Sequence, residues 1–333
     1  MKALVTLMSI LAGSALADPM AGVTEIELHA PHHDRSMKAA IWYPTQDQGA
    51  PLPFAENAVF HGTEVLRGAA PIPGQYPVVL LSHGMGGNYM TLQWLAAGLA
   101  ERGALVLTVN HPNSSTWDFD MAQGARHGTR AMDMRHALDW LQGSDYAGLT
   151  DDRVLAAGFS YGGWTALSLG GVRGNLAGYR ASCAAWVENG HCRDLERLGV
   201  DLGALDERVW NADYSDARIT GVVAIDPGLH WGLSEQDVAG LDVPVRVIGL
   251  GTGSDRLFAT DVDASGFSAM LPKGAVRWLS PASHFAMLPV CKADGAAILK
   301  AEKDDPVCDD PEGADRAFLH GLVLEEIVQA LGL

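Results

Sequence analysis

Basic residues are scarce in this chain: 23 Lys and Arg stand against 40 Asp and Glu, for a formal net charge of -17. An acidic surface repels nucleic-acid phosphates and anionic membranes alike, so neither is an expected partner and neutral substrates fit better. Charge of either sign is modest at 19%, while 48% of the 333 residues are hydrophobic. Such a chain can bury one sizeable core without a metal or a coiled coil to hold it. Repeats, low-complexity segments and long linkers are also missing, which predicts a single domain over 18–333 with insertions. Long apolar runs are missing too. The first, inside MKALVTLMSILAGSALADPM, is too short for a membrane anchor and contains Gly13 and Ser14. With Lys2 ahead of it and the small-x-small triplet Ala15-Leu16-Ala17 behind, it reads as a signal peptide over residues 1–17, leaving no anchor after cleavage. The expected location is therefore periplasmic or secreted.

Cysteine is limited to Cys183, Cys192, Cys291 and Cys308, without C-x-x-C spacing and with only His191 nearby in a ligand-like position. That pattern argues against a zinc site. In an oxidising compartment disulfides persist, and the two pairs close in sequence, Cys183 with Cys192 and Cys291 with Cys308, are the expected staples among three possible connectivities.

What the chain does contain is a regular alternation. GVTEIELHA and KAAIWYPT alternate apolar and polar residues and predict two antiparallel strands. Then YPVVLLSH, ALVLTVNH, RVLAAGFS, ITGVVAID, VPVRVIGL and AVRWLSPA, continuously apolar, alternate with helix-length segments at 89–102, 126–142, 161–170 and 314–331. Continuous apolar strands need cover on both faces. The expected fold class is therefore α/β, a mostly parallel doubly wound sheet with helices on both faces and function at the carboxyl ends of its strands. The segment 171–217 is too long for a plain loop and predicts a cap or lid with its own small packed core, in which Trp186 and Trp210 serve packing.

The stretch GFSYGG carries Gly158-Phe159-Ser160-Tyr161-Gly162, a G-x-S-x-G match placed between the strand RVLAAG and a helix-compatible YGGWTALSL. Five letters alone are weak evidence, but this strand–turn–helix setting is one in which a strained turn lifts a serine hydroxyl into a cleft. Serine is a poor nucleophile at neutral pH. It needs a histidine to take its proton and a carboxylate to orient that histidine. His284 in SPASHFAML follows the last predicted strand and is the candidate base. His32 and His33 in APHHDR, and His320 in the last helix, are expected to be solvated or packed. An oxyanion needs two N–H donors, for which Met85, after LLSHG, and Tyr161, at the start of the helix after the serine, are the candidates. His83 is expected to shape its turn, while His111 in VNHPNSST, with Trp164, Trp231 and Phe285, is a candidate for lining a substrate pocket, core packing being the equal alternative for each of the three aromatic residues.

These residues resemble the α/β-hydrolase superfamily, more closely its branch of dienelactone hydrolases and platelet-activating-factor acetylhydrolase-type enzymes. The likeness runs through IWYPT, LSHGMGGN, VNHP, GFSYGG, VVAIDPG, SHFAML and the cysteine-flanked tail, which is almost all of the chain after residue 18. It implies an α/β-hydrolase fold, Ser160 as nucleophile, His284 as base, and Met85 and Tyr161 as oxyanion donors, with no cofactor and no metal. A more distant similarity to bacterial cutinases and polyester hydrolases rests on VPVRVIG and ASHFAM. The chain departs from those in lacking a short Ser-Pro-Gly oxyanion turn and in carrying the long cap.

Two acids compete for the third position. In the acetylhydrolase type the acid follows the strand after the nucleophile, here Asp226 in GVVAIDPG; in most of the superfamily it follows the next strand, here Asp255 in GLGTGSD. The strongly apolar strand before Asp226 favours that residue, since a desolvated carboxylate gains most from pairing with an imidazole that becomes charged. Asp255 is followed by Arg256, an expected surface partner. An Asp-Pro-Gly turn with no other role remains the plain alternative for Asp226. The implied activity is hydrolysis of small to medium carboxylic esters. Lactone hydrolysis, polyester hydrolysis and a non-catalytic binding scaffold are the alternatives.

Overall fold

The structure, a computed structural model, describes residues 18–186 and 191–333. The expected signal peptide lies outside the described residues. The chain opens with a long antiparallel hairpin, β1 (Met20–Ala30) and β2 (Arg35–Thr45), whose tip is a one-turn 3-10 segment over Pro31–His33. Short strands β3 (Leu52–Phe54) and β4 (Thr63–Arg67) follow, then β5 (Tyr76–Ser82), helix α1 (Gln93–Glu101), β6 (Leu105–Val109) and a small hairpin of β7 (Ser114–Ser115) and β8 (Asp118–Phe119). Next come α2 (Met121–Gly124), α3 (Gly128–Gly143), β9 (Thr150–Phe159) and α4 (Tyr161–Leu169). The segment expected as a cap holds short helices α5 (Leu176–Ala185), α6 (His191–Arg197) and α7 (Glu207–Trp210). The chain closes with β10 (Gly221–Ile225), α8 (Glu235–Val238), β11 (Val245–Leu250), α9 (Phe267–Met270), β12 (Val276–Leu279), α10 (Gly295–Glu302) and α11 (Arg316–Leu331).

Among the described residues ten strands form one sheet in the order β12-β11-β10-β9-β5-β6-β2-β1-β4-β3. The block from β12 to β6 is parallel, and β2 closes it antiparallel against β6. Period-two alternation explains the continuous apolar runs. Val78 and Leu80 of β5 face one layer with Met134, Leu138 and Leu141 of α3 and Trp164 of α4, while Val79 and Leu81 face the other with Leu95 and Leu99 of α1 and Val323 and Ile327 of α11. Strand order reverses at β5, since β6 lies on one side of it and β9 on the other. This opens a crevice at the carboxyl ends of β5 and β9, where a doubly wound sheet places its ligand.

Helix α1 starts later than the sequence pattern predicts. The Asn88 side chain accepts from the Met90 N–H at 2.8 Å, and Thr91 Oγ1 accepts from the Asn88 N–H at 2.8 Å, so local turn bonds hold these backbone groups before the helix begins. Both expected cysteine pairs are disulfides, Cys183–Cys192 and Cys291–Cys308. Among the described residues no helix is long and apolar enough to cross a membrane.

Candidate active site

Ser160 sits between β9 and α4 with φ 57° and ψ -118°, a left-handed conformation that costs a non-glycine residue about 1–3 kcal/mol. The turn is held from outside: the Ser160 N–H donates to Ile225 O at 2.8 Å. Its two glycines are obligatory. A Cβ on Gly162 would lie 2.0 Å from Ser82 O, and one on Gly158 would lie 2.3 Å from Gly162 O, both backbone atoms that cannot yield cheaply.

His284 begins a short 3-10 turn, His284–Met287, after β12. Two distant elements pin that turn. Trp94 of α1 donates from Nε1 to Met287 O at 3.0 Å, and His320 of α11 donates from Nε2 to Ala286 O at 2.8 Å, with the two rings stacked 3.7 Å apart. His320 is thus a packed residue, and burial pushes its pKa down to about 4, so it is neutral in neutral solution. The result is one row of hydrogen bonds: Ser160 Oγ to His284 Nε2 at 3.0 Å, and His284 Nδ1 to Asp226 Oδ2 at 2.6 Å.

The acid in that row is Asp226. It is buried at the end of β10, where its Oδ1 accepts from the Leu250 N–H at 3.0 Å and its Oδ2 from Thr260 Oγ1 at 2.7 Å. Asp255 lies in an exposed 3-10 turn and makes no hydrogen bond to His284 among the described residues. Nor does Arg256 pair with it. That guanidinium stacks 3.4 Å over the Trp278 ring and pairs with Asp261 and Asp263.

The N–H groups of Met85 and Tyr161 have no acceptor among the described residues, and both residues border the cavity above Ser160. The turn carrying Met85 is braced from below. His83 donates from Nδ1 to Gly84 O at 2.6 Å, and its Nε2 accepts from the His111 N–H at 3.2 Å. Arg130, buried in α3, donates to Ser114 Oγ at 2.7 Å, to Ser82 Oγ and Thr165 Oγ1 at 3.2 Å, and to His83 O, and lies 4.4 Å over the Tyr161 ring. Burial lowers its pKa to about 10, which still leaves a cation at neutral pH.

Arg130 has a buried carboxylate near it in the same helix. Burial pushes the Asp133 carboxyl up, but hydrogen bonds from His111, His32 and His33 outweigh that and hold it well below the usual range. His111 links the two halves, with Nδ1 2.8 Å from Asp133 Oδ2 and Nε2 2.8 Å from Ser82 Oγ. Its own pKa falls to about 4, first through burial and then through the nearby Arg130 cation.

The cavity over Ser160 and His284 has a volume of about 570 Å3. Its wall includes Met85, Met121, Tyr161, Tyr179 and Phe285, with Leu195 and Leu198 supplied by the cap segment. Phe285 borders it. Trp164, Trp231 and His111 do not. Trp164 is buried under α4 among the α3 residues of one core layer; Trp231 packs against Phe258 with ring centroids 4.3 Å apart; His111 is fully enclosed by Ser82, His83 and Asp133. Trp210, expected only to pack, both packs on Leu176 and Tyr179 and reaches the cavity wall.

The fold is an α/β-hydrolase fold. Among solved structures, a ferulic acid esterase from Streptomyces cinnamoneus superposes with a TM-score of 0.61 at 21% identity, over 95% of this chain and 90% of that one. A dienelactone hydrolase from Anabaena variabilis aligns over 94% of this chain and 98% of its own at 16% identity, with a TM-score of 0.47. No protein-family model matches the sequence, and no curated protein matches it.

Proposed function

We propose that the protein is an exported serine hydrolase that cleaves carboxylic esters of small to medium acyl groups through an acyl-enzyme. The observation that carries this reading is the row Asp226–His284–Ser160, its acid and histidine buried and its serine at the floor of a largely apolar cavity. Asp226 keeps the Nδ1–H tautomer of His284, so Nε2 is free to accept the Ser160 proton as Oγ attacks the ester carbonyl. The carbonyl oxygen becomes an oxyanion, for which the Met85 and Tyr161 N–H groups are the donors. His284 returns its proton to the departing alcohol, then deprotonates a water that releases the acid and restores Ser160. No step calls for a cofactor or a metal.

The two disulfides support the periplasmic or extracellular location that the amino-terminal segment implies. Residues 171–217 act as the cap in this account, since Leu195, Leu198 and Val200 wall the cavity. A wall over the serine favours a compact acyl group over a polymer strand, and its aromatic residues make aromatic acyl groups the second reading. The test is a kcat/KM series on p-nitrophenyl acetate, butyrate, octanoate and palmitate, with methyl ferulate, a small lactone and a polyester film. The account expects the best rate on a short or medium ester and loss of it in Ser160→Ala. Hydrolysis of none of these by folded protein would overturn it, and a preference for the lactone or the film would move the substrate class.

A further inference from the structure

We propose that His32, His33 and Asp133 form a binding site for one divalent transition-metal cation of the zinc class. The site lies at the tip of the β1–β2 hairpin. Neighbouring residues of a strand point to opposite faces, so two adjacent histidines can converge on one atom only where the strand is interrupted. Here the 3-10 turn Pro31–His33 interrupts it, with Asp34 closing the turn at φ 50°. The outcome is that His32 Nε2 and His33 Nε2 lie 2.7 and 3.1 Å from the same oxygen, Asp133 Oδ1.

Each of the three residues offers a ligand atom within 4.8 Å of those of the other two. A zinc ion with bonds of about 2.0–2.1 Å in tetrahedral geometry wants its ligands roughly 3.3 Å apart, so only small side-chain adjustments separate this cluster from a loaded site. Two imidazoles and one carboxylate select zinc, cobalt, nickel or copper over magnesium or calcium. The support behind the ligands is already built. Asp133 is fully buried, and its second oxygen is held by His111 Nδ1 at 2.8 Å, which fixes the carboxylate's orientation. The two histidine side chains are 13% and 7% exposed, which leaves the outer side open for a water as fourth ligand. On loading, each Nε2 turns its lone pair to the metal and its N–H proton moves to Nδ1, while the buried carboxylate gains a cation.

The measurement is calorimetric titration of zinc chloride into untagged, EDTA-stripped protein, with cobalt chloride as a spectroscopic probe. The expected result is one equivalent bound per chain, a Tm rise of about 5 °C at a hundredfold excess over Kd, and cobalt absorption of a low-coordinate nitrogen and oxygen site. His32→Gln combined with His33→Gln removes the binding, and His136→Gln, a ring 6.1 Å from His32 but outside the trio, retains it. No stoichiometric uptake by the wild type would overturn the proposal, as would uptake that survives the double substitution. Should the double variant fail to fold, X-ray absorption of the zinc-loaded wild type decides: two imidazoles and oxygen support the site, and any other ligand set refutes it.

Discussion

Replacing Asp226 by Asn changes the chemistry of one buried oxygen and almost nothing of its shape. In the native protein the carboxylate accepts three hydrogen bonds, from the Leu250 N–H, Thr260 Oγ1 and His284 Nδ1. An amide in the same place has one acceptor oxygen. If that oxygen stays on the Leu250 N–H, which is fixed in the backbone, the amide N–H2 faces His284 and can only donate. His284 must then accept at Nδ1 and carry its proton on Nε2, the atom 3.0 Å from Ser160 Oγ, where it can no longer take the serine proton. A tautomer error of this kind costs a serine hydrolase on the order of 10⁴ in kcat, which is about 5.4 kcal/mol of transition-state stabilisation. Asp255→Asn, at an exposed turn outside the row, is expected to stay within about twofold. The assay is kcat/KM on p-nitrophenyl butyrate for both variants, with circular dichroism to confirm folding. A folded Asp226→Asn within tenfold of the wild type, or an equal loss in Asp255→Asn, would refute the reasoning.

Gly162→Ala places a Cβ 2.0 Å from Ser82 O and must part the elbow from the β5 turn, costing about 1–3 kcal/mol in urea unfolding and most of the esterase rate, whereas Gly143→Ala meets nothing within 4 Å and is expected to be harmless. Arg130→Met unbraces the turn carrying Met85 and is expected to lower kcat more than it raises KM; Arg130→Lys does not rescue it, because one ammonium cannot reach Ser82, Ser114 and Thr165 together. His127 and His320, both held near a pKa of 4 by burial against an ordinary value of 6.5, stay neutral while the unfolded chain takes up protons. Stability therefore falls as pH drops from about 6.5 to about 4, by roughly 2 kcal/mol per group between pH 7 and pH 5, and His127→Gln should flatten the slope of urea-derived stability by about that amount.

The parallel strands were legible in the sequence because burial on both faces leaves continuous apolar runs that few other structures need. The elbow was legible because its glycines answer backbone contacts that no side chain permits. The choice between Asp226 and Asp255 was not settled there, since both end apolar strands; what separates them is that one loop turns inward under Thr260 and Leu250 while the other remains exposed. Strands β3 and β4 went unforeseen: they are short, sit at the sheet edge and include Pro53. Arg130 and Asp133 were missed because charged residues within a helix resemble a solvated face. A signal was present. They share helical spacing with Ala137, and so belong to the stripe that packs on the sheet. Whether Trp164 and Trp231 serve the pocket or the core was left open, because aromatic residues near a site suit both equally well, and only the path of the backbone distinguishes them.

The central claim, that Ser160 is an activated nucleophile, is tested most directly with a fluorophosphonate probe, intact mass and peptide mapping. The account predicts a single adduct on the peptide containing Ser160 in the wild type, slowed by orders of magnitude in Asp226→Asn and absent in Ser160→Ala. Folded wild-type protein that takes up no probe, or takes it up on another residue, would contradict it.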